Sequence, residues 1–470
     1  MESVKKILII ASAGKSFYNE AMIWIQRHTV IQERQRKIME NRKIGVALLG
    51  LGTVGLGTYK VLKTQKAEMP YKIGAELEIR HILVRNKEKA MGKVDEPELI
   101  TDSLEEILKD EEVQIVIEVI GGIHPAAEYI EKALCSGKHV VTANKDLIAS
   151  DGGRLLDLAK EHHCDLMFEA SVAGAIPVIM PLKHSLAANH LSEVLGIVNG
   201  TTNFILTKMT QEGMEFDEAL AIATELGYAE ADPTADVEGH DAGRKVAIMA
   251  SIAFNSRVAF KDVTTEGITK ISANDIKYAS EMGCIIKLIG RAHCDGKAIE
   301  AYVAPMLLPK KHPLASVNDS YNAVFVRGDA VDDAMFQGRG AGELPTASAV
   351  VGDVFEVARN IVHDCCCRIS CTCYKELPIV AMDDVCSSYF LRVEVEDRIG
   401  VLAELTEVFA RHGVSVQQII QKQRTSDHAE IVIITELVRE GDFKEAVAAI
   451  EKKSCTREVK SMIRVYTKSE

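Results

Sequence analysis

The first strong hydrophobic pattern in the chain is a short apolar run that leads through a glycine turn into a helical repeat. The run covers residues 43–49, and Val54, Val61 and Leu62 follow it at helical spacing. Apolar segments and helical repeats then alternate, which predicts parallel strands joined by crossover helices. In such sheets, ligands bind at the carboxyl ends of the strands. Further strands are predicted at residues 75–86, 113–122 and 138–145, with a helix at about 125–136.

The pattern changes in the middle of the chain and again near its end. Residues 169 to about 310 mix strand and helix signals and are interpreted as a substrate domain. Residues 338–362 combine a glycine-rich turn with a long amphipathic helix, which we interpret as the return of the chain to the first unit. The last eighty or so residues follow the order β-α-β-β-α-β, the ferredoxin-like pattern, without an evident nucleophile or acid-base pair.

These changes predict an α/β protein of three domains, which agrees with a length of 470 residues at ~150 residues per domain. The predicted parts are an N-terminal extension, or a start assigned too far upstream, at 1–42; a Rossmann-type dinucleotide-binding domain at 43–165 plus about 338–362; an α+β substrate, catalytic and dimerisation domain at 166–337; a linker at 363–388; and a ferredoxin-like domain at 389–470.

Composition and charge narrow the class of protein. The net charge of -13 would repel a phosphate backbone, so no nucleic-acid partner is expected. No apolar run reaches the ~18 residues that a membrane span requires, and the N-terminal apolar segment is too short for a secretory signal. We therefore expect a cytoplasmic protein without a membrane partner, whose eleven cysteines are reduced. Five of them lie between Cys365 and Cys373, where the spacing favours loop or core thiols over a metal site.

Gly50, Gly52 and Gly55 form a GxGxxG fingerprint in the context that gives it meaning, after a strand and at the start of a helix. Glycines at these positions permit a tight turn. They also let a pyrophosphate approach the N–H groups of the first helical residues, Thr53 and Val54. The pattern predicts a dinucleotide cofactor at this turn; the alternative is a glycine turn that packs strand on helix without a nucleotide.

The end of the second strand indicates which dinucleotide binds. An NAD-selective protein usually places Asp or Glu there against the ribose 2′-hydroxyl, whereas this chain has Arg85 and Asn86. A guanidinium suits a 2′-phosphate, so we expect NADP(H) to be preferred over NAD(H). The alternative is a solvated arginine after an edge strand. Gly121, Gly122 and Lys145 also fall at strand ends, which places Lys145 beside the cofactor.

Residues 230–245 carry five carboxylates and close on Arg244 and Lys245. Asp241 precedes Lys245 by four residues on a predicted helix, so both side chains share one face and the carboxylate can orient the ammonium. Taken alone, a surface ion pair that contributes ~0.3–0.5 kcal/mol is the simpler interpretation. Gly243 lies inside this helix at a cost of up to ~1 kcal/mol, and we interpret it as close packing against substrate or cofactor.

Six motifs in one order give the chain a specific resemblance. Along residues 43–470 they are GLGTVG, TANK, FEASVAGAIP, GIVNGTTNFIL, ADPTADVEGHDAGRKVAI and GRGAGELPTASAVVGD. With them the chain resembles homoserine dehydrogenase, in the long form whose C-terminal, ferredoxin-like domain is an ACT domain. The resemblance implies NAD(P)-dependent interconversion of L-homoserine and L-aspartate 4-semialdehyde in threonine, isoleucine and methionine biosynthesis.

The resemblance also implies roles for individual residues. Lys245 would be the catalytic acid-base, and Lys145 would reach the same substrate oxygen. Hydride arriving at an aldehyde carbon leaves an alkoxide, which needs a positioned proton donor or positive charge, and a lysine ammonium can supply either. A nucleotide-binding sensor without activity is the non-enzymatic alternative. The other implied residues are Glu230, Asp236, Asp241, Gly200 and Thr201 for the substrate, and Gly340 and Gly342 for the cofactor.

The motif FEASVAGAIP is similar to a monovalent-cation site of the family. The resemblance implies that the Glu169 carboxylate and the backbone carbonyls of Val172, Gly174 and Ile176 bind sodium or potassium. From the residues alone, the alternative is a buried glutamate that caps a Gly-Ala turn.

The C-terminal domain resembles amino-acid-sensing domains, in which the loop DRIGVL, residues 397–402, lies at an interface where an effector binds. This implies feedback inhibition by threonine, with Asp397 and Gly400 as effector residues, because Gly400 gives the backbone room to approach a ligand. The alternative is a dimerisation module without a ligand. The resemblance favours a homodimer or homotetramer.

Overall fold

The structure is a computed structural model, and it describes residues 42–369, 371–424 and 428–468. The predicted N-terminal extension lies outside the described residues except for Arg42, whose guanidinium donates to the carbonyls of Ile361 and Val362. No helix within the described ranges is long and apolar enough to cross a membrane.

The first unit is a parallel sheet with helices on both faces. Its order is β3-β2-β1-β4-β5-β6, and Val46 and Ile117 lie fully buried within it because both faces are covered. The order reverses between β1 and β4, which opens the ligand crevice at the carboxyl ends of these two strands. The elements are β1 (Lys43–Leu49), α1 (Thr53–Gln65), α2 (Met69–Ile73), β2 (Glu76–Leu83), α3 (Lys87–Met91), β3 (Ile100–Thr101), α4 (Leu104–Lys109), β4 (Val113–Glu118), α5 (Ala126–Cys135), β5 (His139–Thr142), α6 (Lys145–Glu161) and β6 (Leu166–Met167).

The second unit is an antiparallel sheet with helices packed on it, followed by a long helix that returns to the first unit. The strands run in the order β12-β11-β7-β9-β10. The elements are β7 (Leu191–Ile197), α7 (Gly200–Glu212), α8 (Phe216–Glu225), α9 (Thr234–Val237), α10 (His240–Ala253), β8 (Thr264–Thr265), α11 (Ala273–Glu281), β9 (Cys284–Cys294), β10 (Ile299–Pro309), β11 (Tyr321–Gly328), β12 (Asp332–Arg339) and α12 (Glu343–Val362).

Helix α12 packs against α1, so the chain returns here to the first unit. The approach is close, since a Cβ added at Gly57 would lie 2.6 Å from the carbonyl oxygen of Glu343. The side chains of Lys60 and Glu343 also pair at 2.6 Å. The start of α12 therefore lies against α1, the helix that follows the glycine turn of the first unit.

The third unit has the predicted β-α-β-β-α-β order. Its strands lie side by side as β17-β13-β15-β14, the ferredoxin-like arrangement, so the predicted fold class is confirmed. The buried side chains of its two helices, among them Leu405 and Phe443, form a core against the sheet. The elements are β13 (Cys386–Glu396), α13 (Val401–Arg411), β14 (Val416–Arg424), β15 (His428–Thr435), β16 (Val438–Arg439), α14 (Glu440–Glu451) and β17 (Thr456–Val465).

The second and third units share one continuous eleven-stranded sheet. Strand β17 pairs in parallel with β10 at Met306 and Leu307. The predicted linker also lies along the second unit, where the N–H of Lys375 donates to the carbonyl of Asn255. The C-terminal unit is thus built into the substrate unit and is not tethered by a loose linker.

A buried ion network holds this joint. The guanidinium of Arg392 on β13 donates to Asp275 on α11 at 2.8 Å and to Glu430 on β15 at 2.6 Å. Tyr278 on α11 donates its hydroxyl to Glu430 at 2.5 Å, and the hydroxyl of Ser461 on β17 donates to Asp275. The network links both units; its members Arg392, Asp275, Tyr278 and Glu430 are buried, and Ser461 is half-buried.

Candidate functional site

The glycine turn after β1 has the geometry of a phosphate cradle. Gly50 has φ +104°, and a Cβ added at Gly55 would lie 2.1 Å from the Gly50 carbonyl oxygen, so side chains are excluded at both positions. Gly52 precedes α1, and no atom lies within 4 Å of the position of an added Cβ there. Space is therefore free beside the start of α1, where a pyrophosphate would approach the N–H groups of Thr53 and Val54.

A cleft of about 490 Å³ continues from this turn past the end of β2. Arg85, Lys89 and Lys93 line it and place three cationic side chains at one end. Asn86 is engaged elsewhere, since its side-chain oxygen accepts the N–H of Lys89 at 3.0 Å and caps α3. The cleft can hold an anionic group beside Arg85.

The turn after β4 faces the same crevice. Gly121 and Gly122 have φ +80° and +73°, a backbone conformation that side chains disfavour. The Glu118 carboxylate, fully buried, accepts the N–H of Gly121 at 3.2 Å, and Asn144 donates to the carbonyl of Gly122 at 2.6 Å. These two hydrogen bonds hold the turn in place, and Asn144 connects it to the start of α6, where Lys145 lies.

A second cleft of about 630 Å³ lies where the first two units meet. The acidic segment and the two predicted lysines come together here, although they belong to different units. The cleft is lined by Lys145, Gly174, Gly200, Thr201, Glu230, Asp236, Asp241, Lys245, Asn322, Gly340 and Gly342, among others.

Asp241 bridges the two lysines in this cleft. The ammonium of Lys245 donates to one Asp241 oxygen at 2.7 Å and to the carbonyl of Val198 at 2.6 Å. The ammonium of Lys145 lies 3.3 Å from the other Asp241 oxygen. Asp241 and Lys245 are only 7% and 8% exposed, so their contact is not a surface ion pair. The arrangement places two ammonium groups, held by one carboxylate, at the wall of the cleft.

Electrostatics keep this centre charged. Burial raises the pKa of Asp241, but the charges of Lys245 and Lys145 outweigh burial and hold that pKa well below its usual range. Burial lowers the pKa of Lys145, but the charges of Asp241 and Asp146 outweigh it, and the net direction is upward. Lys145 therefore remains an ammonium throughout the neutral range.

The other predicted substrate residues lie around this centre. Asp236 is half-buried, and burial raises its pKa. Gly200 and Thr201 begin α7, so their N–H groups point out of a helix N-terminus, while the Thr201 hydroxyl donates to the carbonyl of Tyr228 at 2.7 Å. Glu230 is exposed at the rim of the cleft.

Two asparagines in this cleft were not predicted from the sequence. Asn199 donates through its amide to Asp236 at 2.7 Å and to Asp241 at 2.9 Å, and so holds the two carboxylates together. Asn322 is 1% exposed, and neither atom of its amide has a hydrogen-bond partner among the described residues. The available signal for Asn322 was a lone polar residue at a buried position of the apolar strand YNAVFV.

The predicted reason for Gly243 was incomplete. Close packing is present, but a Cβ there would meet Thr265 at 2.7 Å and Phe260 at 2.8 Å, neither of them substrate nor cofactor. The neighbouring Arg244 stacks on Phe260 at 4.7 Å and pairs with Asp146 at 2.6 Å. Arg244 thereby connects α10, which carries Lys245, to α6, which begins with Lys145.

Three backbone N–H groups donate to the Glu169 carboxylate. It accepts the N–H groups of Val178, Ile179 and Met180 at 2.5, 2.7 and 2.7 Å. Burial raises the pKa of Glu169, and these hydrogen bonds oppose burial only in part. The geometry matches the alternative of a buried capping glutamate, because these hydrogen bonds occupy most of the acceptor sites of the carboxylate.

The carbonyls of the implied cation site lie in the turn that follows Glu169. Ala173 and Gly174 both have left-handed backbones, with φ of 55° and 56°, and the N–H of Ile176 donates to the carbonyl of Ala173 at 3.1 Å, so the chain turns tightly here. A Cβ added at Gly174 would lie 2.3 Å from the carbonyl oxygen of Gly340, which places this turn against the glycine-rich turn before α12. Val172 and Ile176 flank the two left-handed residues.

One group of potential metal ligands includes a residue of the cysteine-rich segment, Cys366. Atoms of His139, Asp165 and Cys366 lie within 4.8 Å of one another. However, His139 Nδ1 accepts the N–H of Asp165 at 2.9 Å, so the ring proton is on Nε2, the atom that faces Cys366. Asp165 is also occupied, by Asn360 and by the N–H of Cys367. Because His139 and Asp165 already take part in these hydrogen bonds, the group is better explained by structural thiols than by a metal site.

The predicted effector loop lies at the surface of the third unit. Gly400 has φ +96° and precedes α13. Next to it, Ile399 is completely exposed, and Leu402 and Leu437 are also exposed. Asp397 lies in the same loop, directly after β13. An exposed apolar group beside a glycine turn is suited to contact another protein surface.

Comparison with protein families assigns all three units. The family model described as homoserine dehydrogenase matches residues 177–355, and the model of the homoserine dehydrogenase NAD-binding domain matches residues 50–169. The ACT domain model matches residues 389–454.

Individual relatives agree with these matches. The chain is 48% identical to the homoserine dehydrogenase of Corynebacterium glutamicum over 90% of this chain and 95% of that protein. It is 43% identical to that of Bacillus subtilis, over 90% and 98%. The structure of a homoserine dehydrogenase from Thiobacillus denitrificans superposes with a TM-score of 0.86 at 39% identity, covering 90% of this chain and 98% of that one. A hyperthermophilic archaeal homoserine dehydrogenase in complex with NADPH has a TM-score of 0.57 at 27% identity, covering 67% and 97%.

Proposed function

The chain belongs to the homoserine dehydrogenase family, and on this premise we propose that it interconverts L-homoserine and L-aspartate 4-semialdehyde. The observation that supports the proposal is the cleft in which Asp241 bridges Lys145 and Lys245 next to the glycine turns of the nucleotide unit. A bound nicotinamide cofactor supplies or accepts the hydride. The reaction belongs to threonine, isoleucine and methionine biosynthesis, and the reduced thiols suit the cytoplasm.

Lys245 is the proposed proton donor to the alkoxide that hydride addition leaves on the aldehyde carbon. Its ammonium already donates to Val198 and Asp241, which fixes the direction of the remaining N–H bond. Lys145 approaches from the nucleotide side and adds a second positive charge near the developing oxyanion. In the oxidative direction, Lys245 accepts the hydroxyl proton of homoserine after losing its own.

The ends of the amino-acid substrate match the remaining polar groups. We assign the substrate ammonium to Asp236 and Glu230. Both carboxylates line the cleft, and neither has a cationic partner as close to it as Lys145 and Lys245 are to Asp241. Burial raises the pKa of Asp236, and a bound ammonium would reverse that effect. The N–H groups of Gly200 and Thr201, at the start of α7, suit the substrate carboxylate.

The cofactor preference is testable at Arg85. We propose that NADP(H) is preferred because Arg85, Lys89 and Lys93 surround the end of the nucleotide cleft, and the archaeal structural neighbour is an NADPH complex. Arg85→Ser should raise KM for NADPH ~10–100-fold, the loss of one charge-assisted hydrogen bond, and leave KM for NADH nearly unchanged. Arg411→Ser removes an exposed arginine on α13 and is the control. Equal changes for both cofactors would contradict a 2′-phosphate contact.

We propose that Asn322, which was not predicted from the sequence, binds cofactor or substrate in this cleft. Its buried amide offers a donor and an acceptor with no partner among the described residues, so a ligand with both groups is complementary to it. Asn322→Leu should raise KM for cofactor or substrate about tenfold, the equivalent of one hydrogen bond.

The same Asn322→Leu variant should not be less stable than the parent. Replacing an unpaired buried polar group by an apolar group of similar shape is neutral or stabilising. Steady-state kinetics and the thermal midpoint, measured on one preparation, check both expectations. A lower midpoint with unchanged KM would show that Asn322 acts only in folding.

We propose a monovalent cation at the carbonyl oxygens of Val172, Gly174 and Ile176, because hard oxygen donors suit sodium or potassium. Glu169 would shape this turn through its backbone hydrogen bonds and would not bind the ion. The turn contacts the Gly340 backbone, so a bound ion would order the joint between the units.

We also propose that the ACT domain binds threonine where two copies of the chain meet, in a homodimer or homotetramer. The exposed Ile399 beside Gly400 supports a contact at this loop. Millimolar threonine should inhibit the parent, and Asp397→Ala should raise the inhibitory concentration about tenfold or more with unchanged basal turnover. Glu407→Ala, an exposed carboxylate on α13, is the control. A parent insensitive to threonine would leave dimerisation as the role of the domain.

A further inference from the structure

A third cleft, of about 370 Å³, lies between the helices that carry the two lysines of the active site and on their far side. Ile148 and Gly152 of α6 line one wall, and Ile248 and Ser251 of α10 line another. The cysteine-rich segment closes the cleft with Cys371, Thr372 and Cys373. Neither the hydride transfer nor the proposed effector site uses these thiols.

The two thiols are near each other and near two cationic side chains. Cys371, Cys373 and Arg257 line this cleft together, and a single residue separates the two cysteines in the chain. Lys183 lies over the ring of Phe168 at 5.0 Å and lines the same cleft. Both thiols are half-buried, so a small solute in the cleft can reach them.

Cys373 also connects the cleft to the catalytic helix. Its thiol lies 3.4 Å from the carbonyl oxygen of Ser251 on α10. The chain turns tightly here, since the N–H of Tyr374 donates to the carbonyl of Thr372 at 3.1 Å. One thiol proton can be donated either to Ser251 or to Cys371, and loss of that proton removes the contact with α10.

From this cluster we infer that Cys371 and Cys373 form a dithiol that hydroperoxides oxidise to an intramolecular disulfide, which lowers the turnover of the enzyme. The activity part of this inference rests on the proposed function; the thiol chemistry does not. Two observations carry it: both thiols line one cleft with Arg257 and Lys183, and this cleft lies between α6 and α10, where Cys373 contacts Ser251.

The ionisation of the pair supports this assignment. The hydrogen bond from Cys373 and the charges of Arg257 and Lys183 lower the pKa of Cys371 to about 5, although burial opposes them. The same hydrogen bond raises the pKa of Cys373. Cys371 is therefore the nucleophile and Cys373 the thiol that resolves it. The other charged groups of the cleft and its walls are Asp151, Arg154, Asp157, Lys261 and Asp262, with Glu169 and Asp353 acting on Lys183.

The oxidation balances in two steps. The Cys371 thiolate attacks one oxygen of hydrogen peroxide, the O–O bond breaks, and the leaving hydroxide takes a proton to become water. The product at Cys371 is a sulfenic acid. The Cys373 sulfur then attacks the Cys371 sulfur, the S–S bond forms, the S–O bond breaks, and a second water leaves. The two thiols lose two electrons in total, and the peroxide gains them.

A disulfide between residues two apart is easily reduced. The bridge would close a ring with a single residue, Thr372, between the two cysteines, and so small a ring strains the disulfide geometry. Strain of this kind makes a disulfide more reducible, which suits a reversible switch and not a structural staple. The disulfide would also pull Cys373 away from Ser251 and so disturb the packing of the helix that presents Lys245.

The chemistry is tested by mass spectrometry on the full chain. After brief exposure to hydrogen peroxide, the peptide with Cys371 and Cys373 should lose two hydrogens and regain them with dithiothreitol. Iodoacetamide near pH 6 should alkylate Cys371 ~10-fold or more faster than the exposed Cys386, and Lys183→Met should reduce that ratio. Alkylation of Cys371 no faster than that of Cys386, without an intramolecular disulfide, would overturn the inference.

The regulatory part is tested by turnover of the same samples. Peroxide should lower kcat of the parent and of Cys386→Ser at least ~3-fold, reversibly with dithiothreitol, and should not affect Cys371→Ser or Cys373→Ser. A disulfide that forms without a change in kcat, or equal losses in the Cys371→Ser variant, would overturn the switch. Absence of activity in the untreated parent would instead contradict the proposed reaction and leave the mass measurement valid.

Discussion

Lys245→Met should lower kcat by ~10²–10⁴-fold, the range expected for loss of a positioned proton donor. Methionine keeps the length of the side chain but removes the ammonium that donates to Val198 and Asp241. Lys145 still neutralises Asp241, so the variant should fold and bind cofactor. The expected loss is therefore in kcat and not in cofactor affinity.

Two measurements separate this expectation from a general structural effect. Lys277→Met removes an exposed lysine on α11 and should leave kcat within about twofold of the parent. Titration of each variant with reduced cofactor should give similar dissociation constants. Near-parental turnover in Lys245→Met would refute its role as acid-base and move that role to Lys145.

Arg392→Leu should reduce the free energy of unfolding by ~3–5 kcal/mol. Its guanidinium is the shared partner of Asp275, which is 0% exposed, and of Glu430, which is 9% exposed. Removing one member of a buried network leaves the other charges buried without a partner. The resulting loss of stability is larger than the net stabilisation that the intact network contributes. The loss should also weaken the joint between the ACT domain and the substrate unit.

Denaturant unfolding of parent and variant measures this change. Arg411→Leu breaks an exposed ion pair with Glu407 and should change stability by no more than ~1 kcal/mol. A similar small change for Arg392→Leu would contradict the idea that the two units are held together by a buried network. Unfolding of the ACT domain as a separate, earlier transition in the parent would contradict the continuous sheet.

Local patterns were sufficient for the nucleotide unit. The apolar run predicts a strand, Gly50 and Gly55 predict a tight turn, and the helical repeat that follows predicts a helix. The structure has all three in this order. The ferredoxin-like order of the last domain was predictable for the same reason, because each strand and helix has its own period. Element ends were less accurate, as with β13, which begins at Cys386 and not at residue 389.

Contacts between distant segments were not predictable from these patterns. The pairing of β17 with β10 involves only Met306 and Leu307 on one side, and nothing in either strand marks its partner. Arg392 lies in an apolar strand, where its charge suggests exposure, yet it is 5% exposed because Asp275 comes from another unit. Asn322 became evident only when the strands around it showed that its amide has no partner.

The proposed reaction is tested by following reduced nicotinamide absorbance after L-aspartate 4-semialdehyde is added to the full chain. We expect steady oxidation of NADPH, faster than that of NADH, and oxidation by Lys245→Met that is at least ~10²-fold slower. A folded parent that binds cofactor but oxidises neither NADPH nor NADH would contradict it.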